Sequence, residues 1–104
     1  MKTEIFLGTE LKLNVNIEPL GKVTMDDFDF EVEVYCNPSK SLVILKKDSI
    51  RVDENNYIVC VDTNKVGLGY LKCKVTANIP DTDFSDGRRT EVDSVCTGIV
   101  IVKA

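Results

Sequence analysis

The chain has 104 residues, enough for one domain with a modest core. Its net charge of −4, from 17 acidic and 13 basic residues, argues against nucleic acid and anionic membranes as partners, since both favour a basic face. The absence of histidine removes the commonest general base and metal ligand, and with it the Ser–His and Cys–His nucleophile pairs.

Residues 1–8 have the look of a signal-peptide start, but the apolar piece is only Ile5, Phe6 and Leu7, with Glu10 and Lys12 close behind. A secretory core needs about 7–15 apolar residues and a bilayer span about 20, so the expectation is a protein made and kept in the cytosol. From there the dominant period is two. Leu11, Leu13, Val15 and Ile17 alternate with Lys12, Asn14, Asn16 and Glu18, predicting a half-buried strand stopped by Pro19-Leu20-Gly21. Phe28, Phe30, Val32, Val34 and Cys36 alternate with Asp29, Glu31, Glu33 and Tyr35, and Asn37-Pro38-Ser39 marks a turn. Residues 42–45 are a continuous apolar run, and Ile50-Arg51-Val52 is a short one broken by its arginine. Residues 57–61 are apolar throughout, which predicts a strand covered on both faces or nearly so.

Residues 62–69 offer the one place for a helical turn, with Asp62 or Thr63 to cap it and Gly67 to end it. Leu71, Cys73, Val75, Ala77 and Ile79 then alternate with Lys72, Lys74, Thr76 and Asn78. A polar loop follows at 80–89, and 91–102 returns to strand with Gly98 as a bulge or close approach. About seven short antiparallel strands, punctuated by turns and without a long helix, predict a single all-β domain over residues 1–104. An immunoglobulin-like β-sandwich is the expected architecture, with a barrel as the other closure. If the strands at 11–18, 28–36 and 70–79 neighbour one another in one sheet, their outer faces carry Lys12, then Glu31 and Glu33, then Lys72 and Lys74. The acidic strand with Glu31 and Glu33 then lies beside the one with Lys72 and Lys74.

Cys36, Cys60, Cys73 and Cys96 lie 24, 13 and 23 residues apart, without the close pairs a zinc site uses. In a reducing cytosol they are expected to be free, buried thiols acting as small hydrophobes. Asp26, Asp27, Asp29, Glu31 and Glu33 form an acidic run, read as a solvated outer face rather than a carboxylate pair across a cleft. Gly67-Leu68-Gly69 is a lone glycine pair, too little for phosphate binding. No cofactor and no catalytic residue is expected.

Alternate oxygen ligands at Asp81, Asp83 and Ser85 resemble the first half of a calcium loop. The glycine, however, is seventh rather than sixth, and the bidentate glutamate position falls on Val92, one beyond Glu91. An Asx-type loop is the competing reading, with Phe84 folded back as an anchor. As an interaction surface this loop offers Asp81, Asp83, Phe84, Asp86, Arg88 and Arg89. The two arginines either reach a neighbour's carboxylates or pair within their own loop.

Taken together, residues 62–71 (Asp-Thr-Asn-Lys-Val-Gly-Leu-Gly-Tyr-Leu), the stretch 79–92 and Thr97-Gly98-Ile99 resemble small immunoglobulin-like proteins of phages and prophages of gut anaerobes. They are also similar to the N-terminal β-sandwich domains of phage baseplate and tail-fibre proteins. The resemblance spans roughly residues 9–101 and implies a non-catalytic virion or tail-associated structural protein, with other protein subunits or copies of itself as partners. Because the chain stops at Ala104, it favours a small accessory or assembly component over a receptor-binding fibre. The alternative is a free-standing immunoglobulin-like domain binding protein or carbohydrate, for which an exposed aromatic patch is the expected mark.

Overall fold

The computed structural model describes residues 3–17, 23–37 and 40–104. Within them the protein is all-β, with eight strands and three single-turn 3-10 helices. The strands are β1 (Thr3–Phe6), β2 (Glu10–Val15), β3 (Asp29–Asn37), β4 (Lys40–Leu45), β5 (Ile50–Asp53), β6 (Asn56–Asp62), β7 (Gly69–Pro80) and β8 (Arg88–Val102). A five-stranded sheet runs β1-β8-β7-β3-β4 and a three-stranded sheet runs β2-β6-β5. The expected stops at Pro19-Leu20-Gly21 and Pro38-Ser39 lie outside the described residues. Among those described, no helix is long and apolar enough to cross a membrane.

Both sheets contribute to one core because the period-two pattern gives each an apolar face. Phe28, Phe30, Val32 and Val34 are buried from the β3 side, Leu71, Ala77 and Ile79 from β7, and Tyr57, Val59 and Val61 from β6. Burial of such side chains contributes about 1.5–3 kcal/mol each. The acidic and lysine strands are indeed neighbours: β3 pairs antiparallel with β7, placing Glu33 opposite Lys74 and Glu31 opposite Thr76. The strand carrying Lys12 is not their companion. β2 pairs with β6 in the other sheet, because residues 7–9 carry the chain across between sheets.

Three further expectations are corrected. β6 is covered on one face only, since Cys60 is exposed and Ile58 only half-buried. The loop after β7 is shorter than 80–89, because pairing runs to Pro80 opposite Arg88. The strands are not all antiparallel. Residues 3–6, too short to show a period, form β1, which pairs parallel with β8 from Thr3 opposite Ile99 to Phe6 opposite Val102.

Two glycines act where only glycine fits well. The turn of residues 63–65 is capped by the Asp62 carboxylate, which accepts the Asn64 N–H at 3.0 Å. It ends at Gly67, whose φ is 85° and whose N–H donates to the Thr63 carbonyl at 3.0 Å. In β8, Val100 pairs with Tyr70 and Cys96 with Lys72, so Thr97, Gly98 and Ile99 together face the single residue Leu71. Gly98 takes φ 80° there. Thr97 Oγ1 steadies the bulge by donating to the Leu71 carbonyl at 2.9 Å and accepting the Ile99 N–H at 3.2 Å. Two extra residues, rather than one, preserve the in–out alternation of β8 across the bulge.

Candidate functional site

The predicted loop closes tightly on itself. Asp81 N–H donates to the Gly87 carbonyl at 2.9 Å, Gly87 N–H to the Phe84 carbonyl at 2.9 Å, and Phe84 N–H to the Asp81 carbonyl at 3.3 Å. The Asp81 carboxylate accepts the Asp83 N–H at 3.0 Å through Oδ1 and Arg89 Nε at 3.2 Å through Oδ2. Asp86 accepts the Arg88 N–H at 3.2 Å. This is Asx-turn chemistry, in which the acids serve the loop's own backbone. No group of three Cys, Asp or Glu side chains placed to hold a metal ion exists among the described residues. Arg89 pairs with Asp81 and Glu91, while Arg88 is exposed. Phe84 is not the expected anchor: it is 50% exposed, because the seven-residue loop has no core beneath its tip.

The acidic run divides between two jobs. Asp29 and Glu31 lie on the exposed face of β3 as expected. Asp26 instead sits in a 3-10 turn, where Arg51 Nη2 pairs with it at 2.8 Å and the Tyr57 hydroxyl donates to it in a short hydrogen bond. The hydrogen bonds from Arg51 and Tyr57 hold its carboxyl down at about 2. Accepting from Tyr57 also pushes that phenol up, and burial adds to the shift. Lys46 Nζ closes the same corner, donating to the Met25 carbonyl at 2.8 Å and the Phe28 carbonyl at 2.7 Å. These contacts pin the chain entry into β3 and leave no vacant acid–base pair.

The cysteines also divide. All four are free, but Cys60 and Cys96 are exposed, so only Cys36 and Cys73 approach the expected buried role. Burial raises the thiol pKa of both.

A concave feature with apolar lining lies elsewhere, between β2 of the small sheet and β8 of the large one. β8 has β7 along its whole length on one side, but on the other β1 reaches only residues 99–102. From Thr90 to Cys96 every β8 side chain is exposed. β2 is likewise an edge strand, paired with β6 alone. Between these two edges runs an open groove of about 500 Å³, floored by Val32, Val59, Val75 and Ala77. Leu13, Val15 and Ile17 form one wall; Glu91, Asp93 and Val95 form the other.

The register explains the mixed wall. Val95, Asp93, Glu91 and Arg89 stand opposite Cys73, Val75, Ala77 and Ile79, so they share the core-side face of the sheet. Two carboxylates and the Arg89 side chain therefore share the side on which β3 and β7 are apolar. Sequence reading missed this site, although acids in phase with Val95 and Ile101 were its visible trace.

A second exposed feature lies on the opposite face of the five-stranded sheet. Phe6 pairs with Val102 and Tyr70 with Val100, which places two aromatics, 61% and 57% exposed, on one surface flanking β8.

No protein-family model matches the chain, and neither a curated protein nor a solved structure matches it.

Proposed function

We propose that this chain is an immunoglobulin-like β-sandwich acting, without catalysis, as a structural or assembly component of a phage-type particle. Its partners in this reading are other protein subunits. The strand order supports the architecture: β2-β6-β5 corresponds to strands B, E and D of variable-type domains, and β1-β8-β7-β3-β4 to A′, G, F, C and C′. The observation that carries the function is the unpaired stretch of β8 beside an apolar groove. A sheet edge left open next to uncovered core is a template for another chain. The resemblance of residues 62–71, 79–92 and 97–99 to small phage immunoglobulin-like proteins supplies the particle. The protein is made in the cytosol in this reading and joins the virion or its assembly intermediates there.

Density-gradient purification of particles from an induced culture, followed by mass spectrometry, tests the reading. The chain is expected in the particle or in an assembly intermediate at fixed stoichiometry with a tail or baseplate protein. Its absence from both would end the proposal. A free-standing binding domain is the second reading, favoured by exposed Phe6 and Tyr70. Paired aromatic faces suit a sugar ring or an apolar peptide. Glycan binding abolished by Tyr70→Ala, with the chain absent from particles, would establish that reading instead.

A further inference from the structure

We propose that the groove between β2 and β8 receives an extended strand from a partner protein, one whose groove-facing side chains, every second residue, are in turn apolar and basic, and which pairs along the free edge of β8. This deepens the docking reading above and rests on it. The backbone sets the first requirement. Between Thr90 and Cys96 half of the N–H and C=O groups of β8 point away from β7, and no described strand lies on that side. Only an extended chain at about 4.8 Å spacing satisfies such a row.

The groove sets the second requirement. A strand added there sends every second side chain inward, over Val59 and Val75 and against Leu13, which is itself only partly buried. Where those positions lie over Leu13, Val59 and Val75 they call for apolar residues. Glu91 and Asp93 set the third. Inward-pointing charges on an edge guard it against a purely apolar strand. Glu91 is engaged by Arg89, whereas Asp93 makes no ion pair among the described residues. A lysine or arginine on the incoming strand answers that acid, since opposite charges across strands contribute about 0.2–1 kcal/mol.

The same acids disfavour a second copy of this chain as occupant. Antiparallel pairing of two β8 edges centred on Val92 sets Glu91 of each copy against Asp93 of the other, and like charges directly opposite are destabilising.

The test uses the intact chain, isotope-labelled for NMR, and two short capped peptides with threonine at every other position and, between the threonines, valine and lysine in turn in one and valine and glutamate in turn in the other. The lysine peptide is expected to bind saturably, shift resonances of residues 11–17 and 90–96, and slow amide exchange along 90–96. The glutamate peptide is expected to bind roughly tenfold more weakly, the effect of two like-charge contacts. Asp93→Lys, at an exposed position, should keep the fold and narrow or reverse that preference. No saturable binding, or shifts confined to the Phe6–Tyr70 face, would overturn the proposal. So would strong protection of 90–96 in the free protein, which would mean the chain covers its own edge. A dimer broken by Asp93→Lys would also overturn it, by making a second copy the occupant. Finding the chain in particles while the peptide fails sinks only this inference. A binding peptide with no chain in particles sinks only the particle.

Discussion

At the scale of single residues, Thr63 holds two crossings of the chain together. Its Oγ1 accepts the Gly8 N–H at 2.8 Å and donates to the Thr9 carbonyl at 2.8 Å, joining the β1–β2 connection to the β6–β7 connection. Thr63→Val keeps the shape but leaves the Gly8 N–H without that acceptor, a loss expected at about 1–3 kcal/mol in urea unfolding. Asp26 contributes in a pH-dependent way. Its folded pKa of about 2 lies below the unfolded value near 4, so its share of stability is complete above pH ~5 and is lost as pH falls through 4 towards 2. Arg51→Ala should remove much of that slope, read as flatter acid melting curves.

Thiol labelling checks the division of the cysteines: Cys60 and Cys96 should react readily in the native protein, and Cys36 and Cys73 slowly. Sequence did not separate these pairs. In 57–61 both alternating sets are apolar, so period two cannot say which set faces inward. The burial of Tyr57, Val59 and Val61 decides it.

At the scale of elements, the β8 bulge is open to direct test. Gly98→Ala forces a Cβ into a left-handed backbone, which costs about 1–2 kcal/mol, against far less for an Ala substitution at an extended position. Thermal unfolding of the two variants side by side measures the difference. Legibility differed from strand to strand for physical reasons. β3 and β7 were plain because their apolar and charged residues alternate cleanly, and their charges even chose the right neighbour. β2 shows equally clean alternation, but that alternation does not say which sheet it joins. Its partner is chosen by where the chain crosses between sheets, not by what its outer face carries. β1 escaped notice because four residues hold no period, and its pairing depends on a strand 96 positions away. Within the loop, the Asx-type chemistry was legible in Asp81 and Asp86, whereas the fate of Phe84 depended on what lay beneath it.

For the whole molecule, a groove waiting for a basic strand predicts a monomer. Light scattering behind a sizing column should give one chain mass across a wide concentration range, with or without calcium. A fold built mainly on non-local pairings should also refold slowly for its size, on the millisecond-to-second scale. Of the groove only the acids in phase with Val95 and Ile101 were legible in the sequence, since it forms between β2 and β8, which come together only when both sheets are assembled.

The pairing of β1 with β8 also determines how the molecule bears tension. The two strands run parallel, so a pull on the two chain ends drags them past one another along their length. The ladder from Thr3 to Phe6, with the Leu7 N–H to Val102 carbonyl bond beyond it, is then loaded in shear, its bonds sharing the force instead of parting one by one. A module threaded into a particle through its ends would resist stretching there, at a seam only a few residues long.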